Sequence, residues 1–433
     1  MSLFAAACGD DDKKADTKTT TATAGSTASG GSTAAGGTTA GEGTKAPEGT
    51  TAPEGTKASE GTTAPEGTKA SEGTTAGAGT KASEGTTAGA GTKASEGTTA
   101  AGTTAAGGAI KVGLAFDTGG RGDGTFNDSA ARGADQATKE LGVKVDELEA
   151  ASGEDRGPNL KNLTSNGNNP IIVVGFLFSD DLTKIAAANP TVSYGIVDGF
   201  VDAPNVSSLG FAEQEGSFLV GAAAALKSKT GHIGFIGGQE IDLIKRFQAG
   251  YEAGAKAVNP DIKIEVKYLG AAGDNNAWTS PDKAKEIADG WYQDDEVDII
   301  YTAAGGSGAG TVQAAVANKK WAIGVDSDEY NTSTVAGAKD VILTSMLKRV
   351  DVAVFETIKA FKDGAFKGGP VAYDLKVDGV GYSTSGGYVD DIKDKLEGYK
   401  ADIIAGKIVV PTTPGGAATT GTTPAEGTTK ATS

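Results

Sequence analysis

One cysteine, Cys8, and one histidine, His232, are all that the 433 residues contain of either type. A single cysteine excludes a disulfide framework, and a single histidine leaves too little for a His-ligated metal centre or a His-based catalytic relay. His232, placed just ahead of an apolar run, reads as structural. No apolar stretch reaches the roughly 18 residues that a membrane-spanning helix needs. Basic residues are the minority, 39 against 56 acidic, for a formal net charge of −17. The first 108 residues carry 12 acidic and 8 basic side chains and the remainder 44 and 31, so the acidity sits mainly downstream. An acidic body lacks the basic footprint that nucleic-acid binding demands. A phosphate loop ending in GK[ST] is also missing, and the glycines of GGSGAG, from Gly305, have the wrong spacing for a dinucleotide fingerprint.

Glycine is abundant instead, at 66 residues. From Gly43 to Gly102 the chain is an array of hexads, GTKAPE or GTKASE alternating with GTTAPE or GTTAGA. Side chains this small cannot bury enough apolar area to offset the entropy of ordering them. Residues 9–108 are therefore expected to form a disordered tether, and 411–433, of the same composition, a disordered tail. A flexible coil of about 100 residues has an r.m.s. span of roughly 50–60 Å. Upstream, LFAAACGDDD places small residues before Cys8 and acidic ones after it. This resembles a bacterial lipobox, with Ala5 where leucine is commonest. Residues 1–8 are read as the end of a truncated signal peptide, with Cys8 as the lipidation site.

The stretch Lys111–Ser129, KVGLAFDTGGRGDGTFNDS, opens a different grammar. Val112–Phe116 reads as a buried strand, the glycines as a turn, and the segment from Asn127 as a helix with a small-residue stripe that Gly142 stops. Strands are expected at 144–149, within IIVVGF from Ile171, before Asp198 and at 206–211, with helices between them and one at 216–227. HIGFIGG from His232, 263–269, VDIIYTAA from Val297 and 322–325 repeat the pattern with helices at 243–258 and after Ser280-Pro281. VILTSML from Val341, a helix at 350–361, an extended stretch near 372–375 and a helix within 389–405 follow. Such alternation predicts α/β architecture with parallel sheets in two Rossmann-like halves.

Five ordered motifs carry a family resemblance: DTGGRGDGTFND from Asp117, Gly237-Gly238 with Arg246-Phe247, YTAAGGSGAG from Tyr301, IGVDSDEY from Ile323 and SMLKRVDVAV from Ser345. Over about 109–410 the chain resembles the basic membrane protein family, the PnrA-like solute-binding lipoproteins that serve ABC importers. The resemblance implies the type I periplasmic-binding-protein fold, with more than one chain crossing between lobes. Lobe 1 is expected at 109–212 and 344–372, and lobe 2 at 213–343 and 373–410.

Asp117, Asp198 and Asp326 each follow an apolar strand, where open α/β sheets bind their ligands. Ionised carboxylates are acceptors only, which favours a neutral, hydroxyl-rich ligand over a phosphate or carboxylate. Any one of them would also serve as a helix cap. Phe126, Phe176, Phe200 and Phe247 fall in or near such loops, where a ring can stack on a planar base or equally join the core. Phe126 has no apolar neighbour in sequence to pack beside. Lys348 and Arg349 fall at the expected start of a helix, where the macrodipole disfavours cations, so Asp326 or the ligand should offset them. The resemblance implies ligand contacts from Asp123, Phe126 and Asn127, backbone approach at Gly305 and Gly306, and a lysine at Lys348. Asp242, beside Glu240, stands where many members have proline, and is expected to add acidity to the cleft.

The reading is a lipid-anchored, extracytoplasmic, monomeric solute-binding protein working with an ABC permease on a small molecule, a purine nucleoside first. No catalytic group, cofactor or metal is expected. A sugar or other small polar solute is the alternative ligand. A nucleoside-processing enzyme and a cell-wall interaction protein are the rival classes.

Overall fold

The computed structural model describes residues 109–421; the expected lipobox at Cys8, the tether and the tail beyond 421 lie outside the described residues. In chain order the first elements are β1 (Lys111–Phe116), α1 (Phe126–Leu141), β2 (Lys144–Glu149), α2 (Arg156–Ser165), β3 (Ile171–Val174), α3 (Ser179–Ala188), β4 (Tyr194–Val197) and β5 (Val206–Phe211). A second set follows as α4 (Glu213–Lys227), β6 (His232–Gln239), α5 (Asp242–Val258), β7 (Lys263–Gly270), α6 (Pro281–Gln293), β8 (Ile299–Ala303), α7 (Gly308–Asn318), β9 (Trp321–Asp326), α8 (Glu329–Thr332) and β10 (Ile342–Lys348). The chain ends with α9 (Val350–Lys362), β11 (Gly369–Tyr373), β12 (Val380–Tyr382), α10 (Lys393–Ile404), β13 (Ile408–Val409) and β14 (Thr419–Thr420).

Two six-stranded sheets result, ordered β11-β5-β4-β3-β1-β2 and β12-β10-β9-β8-β6-β7. Every pairing in them is parallel except β10 with β12. The inner strands are buried on both faces, as Ile171–Val174 is throughout, which is why they read as unbroken apolar runs rather than alternating ones. Helix α1 packs on α9 beside the first sheet, and α4 packs on α5 beside the second. His232 opens β6 and its Nε2 lies 2.9 Å from Glu265 Oε1, a structural pairing between neighbouring strands.

The expected lobe boundary at 344 is corrected. Strand β10 pairs with β9, Met346 opposite Val325 and Leu347 opposite Asp326, so it belongs to the second sheet. The chain crosses to lobe 1 only after Lys348, adding α9 and β11, and crosses back to add β12 and α10. Lys348 therefore closes a strand instead of opening a helix. Helix α4 begins at Glu213, three residues before the expected Gly216. The tail expected to be disordered from 411 starts too early as well. Thr419–Thr420 pairs antiparallel with Ile408–Val409, and Gly415 N–H donates to Glu252 Oε2 at 3.0 Å.

The α4–α5 contact depends on glycine because the two backbones nearly touch. A Cβ at Gly221 would lie 2.1 Å from Tyr251 O, and one at Gly254 would lie 1.9 Å from Phe218 O. Both obstacles are main chain, so a side chain can be admitted only by forcing the helices apart. Overpacking of this kind costs about 1–3 kcal/mol. Gly254→Ala is expected to lower the thermal midpoint by several degrees in a calorimetric scan, while Gly290→Ala on α6, where an added Cβ meets nothing within 4 Å, leaves it unchanged or slightly higher.

Candidate ligand-binding site

The carboxyl ends of the two sheets face a cavity of about 300 Å³, within the size range of small-molecule pockets. Its walls include Asp117, Asp123, Phe126, Asn127, Phe176 and Asp198 from lobe 1 and Phe247, Trp278, Gly305, Gly306, Asp326 and Lys348 from lobe 2. The lobes also touch at the rim. Ser327 Oγ donates to Thr125 O at 2.6 Å, Arg132 Nη2 donates to Ser327 Oγ at 2.7 Å, and Thr332 Oγ1 donates to Gly124 O at 2.8 Å.

The glycine loop after β1 works as a mount. Gly119, Gly120, Gly122 and Gly124 all have positive φ, a region other residues rarely occupy. The loop closes on two carboxylates. Asp128 accepts from Gly122 and Gly124 N–H, and Asp123 accepts from the N–H groups of Thr125 (2.9 Å), Asn127 (2.8 Å) and Asp128 (3.1 Å). Burial pushes the Asp123 carboxyl up while these N–H groups pull it back. Asp123 thus lines the cavity with both oxygens already engaged, and its main work is to fix the start of α1, which points Phe126 and Asn127 inward. Asp117 is engaged through one oxygen: its Oδ1 accepts from Thr118 N–H at 2.6 Å and from Arg156 Nε at 2.8 Å.

Asp198 and Asp326 occupy the same place in the two halves, at the ends of β4 and β9, and both adopt left-handed backbone, φ 62° and 63°. Such conformations are uncommon outside glycine, tolerated by aspartate, and concentrated at functional sites. Between them lies Lys348, 2 % exposed. Its Nζ donates to Asp198 Oδ2, sits 3.8 Å from Glu213 Oε1, and lies 5.0 Å from the ring centres of Phe126 and Phe211 and 5.5 Å from that of Phe247. Arg246 Nε completes the set by donating to Glu213 Oε2 at 2.8 Å.

This buried group holds three carboxyls, Asp198, Glu213 and Asp326, against two cations, Lys348 and Arg246. Burial pulls the Lys348 ammonium down, but Asp198, Asp326 and Glu213 together outweigh it and hold the group above its ordinary value. Burial pushes Glu213 up against the opposing pull of Lys348 and Arg246. Burial, with Asp198 and Asp123 nearby, pushes Asp326 up to about 7. Glu329, which accepts from Val325 N–H at 2.8 Å, is likewise pushed to about 7, chiefly by burial. Three oxygens of cavity-lining residues, Asn127 Oδ1, Asp198 Oδ1 and Asp326 Oδ1, are buried without a hydrogen-bond partner. Buried acceptors of this kind are costly unless a donor meets them.

Eleven of the residues singled out from sequence line the cavity: Asp117, Asp123, Phe126, Asn127, Phe176, Asp198, Phe247, Gly305, Gly306, Asp326 and Lys348. Phe200 does not, being 65 % exposed, and neither does Asp242, which is exposed on the first turn of α5; Glu240 beside it pairs with Lys245 at 3.2 Å. The expected acidity there therefore stays outside the cavity. Sequence reading missed Glu213 and Trp278. Glu213 was hidden by the late helix start, although GFAEQEG from Gly210 offers two acids at a strand-to-helix turn. Trp278, in the largely polar run DNNAWTS, carries a signal close to the one that singled out Phe126, an aromatic with only the small Ala277 as an apolar neighbour. Among the described residues, no group of three or more His, Cys, Asp or Glu could hold a metal ion. No helix among them is long and apolar enough to cross a membrane.

Comparison with known proteins places this geometry in a family. Residues 110–414 match the family described as ABC transporter substrate-binding protein PnrA-like. The CD4+ T-cell-stimulating antigen of Listeria monocytogenes is 37 % identical over 322 residues, spanning 70 % of this chain and 88 % of that protein. The ABC transporter nucleoside-binding protein BmpA of Lactococcus lactis is 36 % identical over 320 residues, covering 70 % and 89 %. Among solved structures, an ABC transporter solute-binding protein from Aeropyrum pernix matches with a TM-score of 0.61 at 31 % identity, covering 70 % of this chain and 94 % of that one. The two-lobed fold is that of the periplasmic solute-binding proteins.

The raised carboxyls give a signed pH dependence. At Asp326 and Glu329 the folded chain keeps a proton that the unfolded chain gives up in the ordinary carboxyl range, near 3.8 and 4.5. Their contribution is therefore fully present below that range, declines as pH rises, and levels off above about 7. Thermal unfolding of Glu329→Gln between pH 4.5 and 7 is expected to show a flatter decline than the parent chain. An equal slope in the two proteins would mean that Glu329 ionises normally in the fold.

Proposed function

The chain belongs to the PnrA-like family of ABC-transporter substrate-binding proteins, and from that membership we propose that it captures a purine nucleoside outside the cell and delivers it to an ABC permease. One observation carries the choice of ligand: the cavity combines aromatic rings from both lobes with buried acceptor oxygens that lack donors. A purine base has π-faces for Phe126 and Phe247, with Phe176 and Trp278 as further walls. Ribose hydroxyls and ring or exocyclic N–H groups supply donors for Asp198, Asp326 and Asn127. A phosphate has none at neutral pH, and would meet carboxylates while Lys348 is already paired. The name of the Lactococcus lactis relative, a nucleoside-binding protein, supports the same reading.

Binding then needs positioning and burial but no covalent step. Lobe closure around the solute is the hinge motion common to such folds. Lipidation at Cys8 and the 9–108 tether would hold the body near the membrane and within reach of the permease. Since one acyl chain binds a bilayer only marginally, stable anchoring would take more than one.

A thermal-shift panel on the full chain, without added metal, tests the ligand. Inosine, guanosine and adenosine are compared with cytidine, free bases, pentoses and the 5′-monophosphates. A solute at about 100 times its Kd adds roughly 2.7 kcal/mol of stability. Purine nucleosides are expected to raise the midpoint by several degrees and the monophosphates to leave it in place. Phe126→Ala is expected to weaken binding about 5- to 150-fold, the range that loss of one base–aromatic stack allows. A folded chain that ignores every nucleoside, or answers only to pentoses, would reject the assignment.

A further inference from the structure

Two carboxylates compete for Lys348, and they belong to different lobes. Asp198, on the loop after β4 of lobe 1, accepts its hydrogen bond. Glu213, the first residue of α4 in lobe 2, keeps Oε1 at 3.8 Å with no hydrogen-bond partner of its own. Glu213 is 0 % exposed and does not line the cavity, so contact with a solute does not explain it. Only Ala212 separates it from β5, at the first crossing between lobes. The other carboxyl of the second lobe, Asp326, is beyond ion-pair distance but attracts Lys348 at least as strongly as Glu213 does; it lines the cavity, whereas Glu213 does not.

The rest of the shell around Lys348 also divides between lobes. Phe126 and Phe211 come from lobe 1 and Phe247 from lobe 2. Parting the lobes therefore removes Asp198 and the Phe126 ring from Lys348 in one movement, while Phe211 stays at the crossing, two residues from Glu213. A cation stripped of its partner in a poorly hydrated place is strongly disfavoured. Glu213 moves with Lys348, and its free oxygen already faces the ammonium. The opposite oxygen is held by Arg246, which fixes the side chain's direction.

We propose that Glu213 is the positioning residue of the site, the counter-ion that receives Lys348 when the lobes part and competes with Asp198 for it when they close. The competition sets the balance between the two arrangements, and so how easily a solute enters and leaves. This rests on the cleft being the solute site and is independent of which solute it takes. Neutralising Glu213 leaves the closed arrangement its Asp198 pair and takes the partner from the parted one, so the balance shifts toward closure.

The test measures lobe separation with no solute present. In the full chain carrying Cys8→Ser, Asp180→Cys and Asn276→Cys are spin-labelled; both positions are exposed and flank Leu177 and Trp278 on facing walls of the cleft. Pulsed dipolar distances are expected to show the short population rising several-fold relative to the long one in Glu213→Gln. Glu213→Asp, which keeps the charge but loses reach, should shift the same way by less. In a Lys348→Met background, Glu213→Gln should produce no shift. Unchanged distances in folded Glu213→Gln, or the same shift with Lys348 absent, would overturn the proposal. Should Glu213→Gln fail to fold, Glu213→Asp decides alone, and its lack of shift refutes it. A nucleoside panel can fail without touching this result, because no solute enters the measurement.

Discussion

The site depends on the burial of one ammonium group. Removing a lysine from water costs several kcal/mol, and only well-placed opposite charges offset that. Lys348 therefore dictates the positions of its neighbours: Asp198 must arrive from the other lobe, Glu213 must sit at the base of α4, and three rings must fill the space that water would otherwise take. Arg246 is tied to Lys348 through Glu213, since the deeply buried carboxylate would be poorly compensated by a lysine 3.8 Å away. The close α4–α5 packing at Gly221 and Gly254 has a functional side in this light. It fixes the two helices that carry Glu213 and Arg246 relative to each other.

The two lobes are variations on one plan, and the site exploits where the plan repeats and where it breaks. Both sheets run in the same order, so β4 and β9 are equivalent strands and α1 and α5 equivalent helices. Each lobe accordingly contributes an aspartate in left-handed backbone from the equivalent strand and a phenylalanine from the equivalent helix. The symmetry fails at the next strand, where β5 ends in Phe211 and β10 in Lys348. Lys348 lines the cavity and Phe211 does not; the Phe211 ring instead packs 5.0 Å from the Lys348 ammonium, so the break in symmetry puts a single cation into the cavity wall from the second lobe.

Much of this was legible in the sequence because the relevant signals are local. A buried strand must be apolar along its length, and the residue after it must leave the sheet, so Asp117, Asp198 and Asp326 could be placed without knowing which strands pair. Phe126 stood out because nothing beside it in sequence could bury it. What could not be read was pairing between distant segments. Whether VILTSML adds to the first or second sheet depends on whether β9 offers a free edge, and its apolar pattern suits either sheet; the lobe boundary was misplaced for that reason. Glu213 was missed because its significance lies in Arg246 and Lys348, 33 and 135 residues away. Asp117 and Asp123 lie in the cavity wall, yet their sequence could not reveal that Arg156 holds one oxygen of Asp117 and that N–H groups at the start of α1 hold both oxygens of Asp123.

Selectivity follows from how polar capacity is distributed. Lys348 is committed to its carboxylates and Arg246 to Glu213, whereas the partnerless cavity oxygens are acceptors on Asn127, Asp198 and Asp326. A solute gains there in proportion to the donors it presents in the right places. One lacking them leaves buried acceptors unpaired, which discriminates far more strongly than a small change in apolar contact. An anionic group fits the proposed site worse, because the cavity wall offers it carboxyl acceptors while the one ammonium there, Lys348, is already paired with Asp198. Under the proposed function, the aromatic walls would supply affinity for a flat ring, and the choice among flat-ringed solutes would fall to the acceptors, which favour neutral ones rich in O–H and N–H.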